Sequence, residues 1–371
     1  MKSERNYGID LLRMLAMVFI VTLHTLLHGG ILDSCKNSFQ FISTNLIYSI
    51  AYCGVNVFAI ISGFVAYDSS LNKDSPRYKF QNIIILWFEV VFYSLLCTVI
   101  TSVLFKKSLS YKSIIIAFMP ISNDTYWYFT SYFILFLLSP LLIYLVREST
   151  LSQARVICCS GLFLLYLSHT ISGMFGSYLL IFLFIIGSMI RKYELHQKIS
   201  INKVVLLLLF LWCINWLWNI VFQFIGYISI GKILIRYDSP TIIGVAILLC
   251  LLFANITISN SKLKKLIKMT TPSVFAVYLL NDHPLVRELI IKNRFCFFVD
   301  NTALLLMFDL FFPLAFFVLS IFIDCIRRGI FRLLRVNYII SYSISLYSKI
   351  VNAFFNRIKI LNSSSNDCIT K

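Results

Sequence analysis

The chain has 371 residues, of which 59% are hydrophobic and only 13% charged. A soluble domain carries about 25% charged residues, so this composition excludes a water-soluble enzyme and excludes disorder. The charge is lopsided, with 33 Lys+Arg against 16 Asp+Glu and a net of +17. Basic excess on an apolar chain points to loops beside a membrane, and nucleic acid is not an expected partner.

A helix that crosses the hydrocarbon core needs ~20 mostly apolar residues. Ten stretches qualify: 9–29, 46–67, 82–104, 126–146, 155–170, 175–190, 204–225, 240–257, 272–290 and 302–323. Their apolar runs lack the alternation of a membrane β-barrel. The reading is an all-α polytopic membrane protein with about ten transmembrane helices.

Ten spans put both ends on one side. The cations then divide into 23 on the side of the termini and 9 on the other, with Arg13 inside the first span. That asymmetry predicts both termini in the cytoplasm. The transmembrane domain is expected over 1–330, followed by a basic interfacial tail over 331–371. From residue 324 the chain leaves the membrane as a basic segment, in which Arg327, Arg328, Arg332 and Arg335 would face anionic headgroups. The basic, apolar N-terminus reads as an uncleaved first helix, because it lacks a small-residue cleavage site and carries ionisable residues. Cys35 and Cys296 both fall on the outer side, where a disulfide is open but not favoured.

Ionisable groups inside spans are costly and mark function by default. The first span holds Asp10, Arg13, His24 and His28. Arg13 and His24 are eleven residues apart, close to three turns, so they share a face ~16 Å apart along the axis. Arg13 paired with Asp10 as a snorkelling cation is the plain alternative. His24 and His28 at i,i+4 suggest a metal pair, but no third ligand accompanies them and none is assigned. Glu89 is an isolated charge in the third span, expected to pair with Arg13 or His24. His169 and His196 are expected to be solvated.

Three further segments stand out. Residues 54–67 end their apolar run in Ser62-Gly63-Phe64, which permits close helix approach. Residues 126–142 open with aromatics around Trp127, an ordinary interfacial belt or a platform for a sugar ring. Residues 271–289 place Asn281, Asp282, His283, Arg287 and Glu288 near the outer end of span nine, as a solvated helix end or an acceptor site.

Together these segments resemble the acyltransferase type 3 family of bacterial integral membrane proteins, which O-acetylate surface glycans. Arg13 and His24 match its Arg, ten residues, His pattern, and Asp10 fits its Asp-x-x-Arg opening. The runs ending in Ser-Gly-Phe and Ser-Pro and the late Tyr-Leu segment with His283 are similar to its later motifs. The chain departs in offering Arg77 and Lys79 where relatives often carry two arginines, and Asn281 where many carry His. A single-domain branch member is implied, in the bacterial cytoplasmic membrane.

The resemblance implies transfer of an acyl group, most often acetyl, from acyl-CoA to a hydroxyl of a surface polysaccharide or its lipid-linked precursor. Acyl-CoA would be a substrate, with no tightly bound cofactor. His24 would act as general base or acyl carrier, with Glu89 orienting it. Arg13, Arg77 and Lys79 would meet the acyl-CoA phosphates. Asp10, Trp127, Asp282, His283 and Arg287 would support the site or bind the acceptor. A proton-coupled transporter or glycan flippase is the competing reading of buried Arg, His and Glu.

Overall fold

The computed structural model describes residues 5–71, 76–106, 109–168 and 175–346, with the side chains of 69–80 also outside the described set. His169 and the tail beyond 346 therefore lie outside the described residues, as do the side chains of Arg77 and Lys79. Every regular element among the described residues is helical.

The main helices are α1 (Tyr7–His28), α2 (Ser38–Ala51), α3 (Gly54–Leu71), α4 (Pro76–Leu104), α5 (Trp127–Glu148) and α6 (Leu151–Ser168). They continue with α7 (Phe175–Lys192), α8 (Ile201–Phe224), α9 (Pro240–Ala254), α10 (Ser261–Thr270), α11 (Val274–Asn281) and α12 (Thr302–Leu333). Eight helical stretches are long and apolar enough to cross a membrane, with α2 and α3 forming one of them. The chain is thus a multi-pass membrane protein.

Two of the expected spans take another form. The stretch 240–257 becomes α9, only 15 residues long. The stretch 272–290 is not one helix: Thr271–Ser273 is 3₁₀, α11 follows, and Pro284–Val286 leads into a π-helical turn at Arg287–Ile291. Pro284 is the cause. The residue before a proline is pushed out of the helical region, and His283 accordingly sits at ψ 128°.

Helix α1 is central. Asn6 caps it, its side chain accepting from the Ile9 amide at 3.0 Å while its own amide donates to the Ala254 carbonyl of α9. The helix packs against α2, α3, α9, α11 and α12. It stops at Gly29-Gly30, where Gly30 adopts φ 81°. That turn is clamped from outside, as Asn293 and Phe295 donate backbone hydrogen bonds to the His28 and Gly29 carbonyls.

Helices α3 and α7 meet backbone to backbone. A Cβ on Gly63 would lie 1.9 Å from the Phe184 carbonyl oxygen, and one on Gly187 would lie 2.0 Å from that of Ile60. The Ser62-Gly63-Phe64 run is therefore a close-approach device, with Ser188 Oγ donating to the Gly63 carbonyl at 3.1 Å. Polar side chains tie the remaining helices. Asn219 donates to Asn45 at 2.8 Å, joining α8 to α2, and Thr44 donates to the buried Asp309 of α12 at 3.2 Å. Asp309 lies inside the expected span 302–323, and the rule that singled out Glu89 as an isolated charge applies to it equally.

Cys35 and Cys296 are free thiols, with Cys296 Sγ against the carbonyls of Gly29 and Gly30. His196 is buried rather than solvated, its ring packing edge-on against Phe64 at 5.6 Å.

Candidate active site

The break at Asp282-His283 supplies the site with its polar groups. Asn281, Asp282 and His283 end α11 almost fully buried, at 1%, 3% and 3% exposure. They are not a solvated helix end. The clamp on Gly29-Gly30 holds the adjoining end of α1 beside them.

His24 faces this cluster. Its Nδ1 lies 2.5 Å from Asn281 Oδ1 and its Nε2 lies 4.0 Å from Asp282 Oδ1. With the amide oxygen facing the ring, Nδ1 carries the proton and Nε2 is the basic nitrogen. Asp282 in turn contacts Arg287 Nη1 at 3.5 Å. His28, one turn along α1, places its ring 5.5 Å from that of His24. The His283 ring turns away, its Nδ1 accepting from the Leu285 amide at 3.3 Å and its face meeting Tyr126 at 5.8 Å.

A narrow chamber opens beside His24, lined by Trp127, Tyr128, Phe58, Phe275 and Tyr278. Its free space of about 10 Å³ matches a single water. Trp127 stacks on Tyr237 at 6.1 Å, and the Tyr237 carbonyl accepts from Asn56 at 2.7 Å. The aromatics of 126–129 are thus largely core residues around His24: Tyr126, Tyr128 and Phe129 are all buried. Tyr237 and Asn56 escaped the sequence reading because neither carries a local signal.

Arg13 pairs with Asp10 at 3.2 Å, and Asp10 also takes Arg5 at 2.5 Å. The intrahelical pairing anticipated for Arg13 is present, and its side chain stays 23% exposed.

Glu89 does not reach His24 or Arg13. Its partner is Arg327 of α12, at 3.4 Å. Arg327 also binds Asp324 at 2.6 Å, Arg328 approaches the same carboxylate at 3.4 Å, and Tyr93 donates to it at 2.8 Å. The correction has a simple cause. Helix periodicity fixes which face Glu89 occupies but not which helix packs there. Arg327 and Arg328 are likewise inward or shared groups rather than free contacts to headgroups. Asp324, three residues before Arg327, was the available signal.

A family model described as an acyltransferase domain matches residues 6–323. The chain belongs to the acyltransferase type 3 family. The match takes in α1 and α11 together, so both halves of the His24 cluster lie within it. No curated protein and no solved structure matches the chain. The protein is therefore a membrane acyltransferase whose donor and acceptor must be argued from its residues.

Proposed function

We propose that this acyltransferase moves an acetyl group from acyl-CoA to a hydroxyl of a cell-surface polysaccharide or its lipid-linked precursor, in the bacterial cytoplasmic membrane. Ten spans, counting α9 and the broken segment, would leave both termini cytoplasmic. The observation that carries the reading is the buried His24, held at Nδ1 by Asn281 with Asp282 near Nε2.

His24 Nε2 takes the proton of the acceptor hydroxyl as its oxygen attacks the thioester carbonyl. The C–O bond forms, the C–S bond breaks, and the proton passes to the departing thiolate. Asp282 stabilises the transient imidazolium, and Asn281 holds the ring in its working tautomer. Arg287 restrains the Asp282 carboxylate. Arg13, supported by Asp10, meets the donor phosphates together with Arg77 and Lys79. His283 and Trp127 shape the acceptor side. The chamber admits a water but not a thioester, so its aromatic walls must move to admit substrate.

Labelled acetyl-CoA incubated with purified protein and a glycan acceptor tests this. Release of CoA with labelled glycan is expected from the native protein and lost in His24→Ala. Full transfer by that variant would sink the proposal. Omitting the acceptor and quenching with acid separates the two chemistries, since label retained on the protein signals an acyl-His24 intermediate. Flux of glycan without CoA release would select a flippase.

A further inference from the structure

A second cavity, of about 490 Å³, lies between α4, the turn at Thr271–Ser273 and the end of α12. Arg327, Arg328, Arg332, Arg335, Asn337 and Glu89 line it. Its charge is unevenly spent. Glu89 and Asp324 are matched by Arg327 and Arg328 through the contacts already given. Among the described residues, no carboxylate pairs with Arg332 or Arg335.

The end of α12 and the turn after it bring these two arginines to the cavity. After Leu333 the chain turns, and Arg335 takes φ 51°. A left-handed residue of this kind commonly ends a helix, and Lys106, Asp124, Glu194 and Asn293 adopt it elsewhere among the described residues. The turn folds residues 336–346 back as a helix, which brings Asn337 and Tyr338 to the cavity wall. Gln81 Nε2 donates to Ser341 Oγ at 2.6 Å and fastens that helix to α4. The buried Arg327, 5% exposed, forms the floor.

We propose that this cavity binds a phosphate-bearing ligand, gripped by Arg332 and Arg335 with Asn337 and Tyr338 donating at the side. Guanidinium forks match phosphate oxygens two at a time. The matched floor adds fixed dipoles without adding repulsion. The phosphate belongs either to a soluble nucleotide or to an anionic lipid headgroup, and both present the same oxygens.

Binding requires no acyl transfer, so full-length native protein and His24→Ala serve equally. Two probes are titrated in detergent: adenosine 3′,5′-bisphosphate and short-chain phosphatidylglycerol. Arg332→Ala/Arg335→Ala should weaken at least one probe about tenfold or more, the loss expected from a charge-assisted contact. Loss for the nucleotide alone assigns a soluble ligand, and loss for the lipid alone assigns a headgroup. Lys262→Ala/Lys265→Ala removes the same charge from exposed positions on the neighbouring α10 and should leave both affinities within twofold. Both arginines are exposed, so folding should survive, and Arg332→Lys/Arg335→Lys should recover part of the affinity. Equal losses in the two double variants, unchanged affinity in the arginine variant, or no binding of either probe to native protein would overturn the assignment.

Discussion

Two clusters of buried charge sit in this molecule, and they differ in what faces each ionisable group. In the first, Glu89 and Asp324 are answered by Arg327, Arg328 and Tyr93 across α4 and α12. In the second, His24 meets a neutral amide at one nitrogen and only a 4.0 Å carboxylate at the other. Each holds buried atoms without a hydrogen bond: Glu89 Oε1, Asp324 Oδ2 and Arg328 Nε in the first, and the Asn281 amide nitrogen in the second. Opposite charges in contact fasten helices, whereas an imidazole facing a neutral amide and a more distant carboxylate keeps a nitrogen free to take a proton. The first cluster reads as a fastener and the second as a reactive site.

The comparison breaks most directly at His24. His24→Ala should cost about 10²- to 10⁴-fold in transfer, the usual range for a general base. Its thermal unfolding in detergent should move by less than that of the Arg327 variant, since it leaves one neutral acceptor unpaired and no buried charge. A large stability loss with activity retained per folded molecule would exchange the roles of the two clusters.

Arg327→Ala should do the opposite. It strands the buried Glu89 and takes one of three partners from Asp324, and removing one partner of a buried pair costs about 3–5 kcal/mol. Yield of folded protein should fall steeply while transfer per folded molecule survives. Glu89→Gln should be milder, since it removes one charge and keeps the shape.

Asp282→Asn keeps the packing and removes the charge 4.0 Å from His24. A drop of about tenfold in kcat with KM unchanged is expected if the carboxylate acts in the transition state. A change in KM alone would make it an acceptor contact instead.

The smallest effect concerns His196, a buried imidazole outside the spans. Burial, then the nearby Arg191, lowers its pKa from 6.5. The unfolded chain therefore binds a proton first, so stability is intact above pH 6.5 and erodes as pH falls below it. His196→Phe should flatten that acid limb in a melting series from pH 7 to pH 5.

Much of the proposed site was legible in one helix. Arg13 and His24 share a face of α1 by spacing alone, and Asp10 pairs with Arg13 as an i,i+3 neighbour. The segment around Asn281 and Asp282 was visible as a polar interruption. Its reading as a solvated end failed because burial of a helix terminus depends on what packs over it, here the end of α1. Glu89 failed for the related reason that its partner is supplied by a helix 238 residues later.

The sequence by itself determined the membrane class, the charge on each loop and the family, because apolar length and local motifs are properties of contiguous residues. Tertiary structure decided the pairings: His24 with Asn281 and Asp282, Glu89 with Arg327, Gly63 against Phe184 and Gly187 against Ile60. It also decided that Arg327, Arg328, Arg332 and Arg335 line a cavity rather than a flat surface. Helical periodicity sets the direction of a side chain around its own axis. Only the packing of one helix on another sets what that side chain meets.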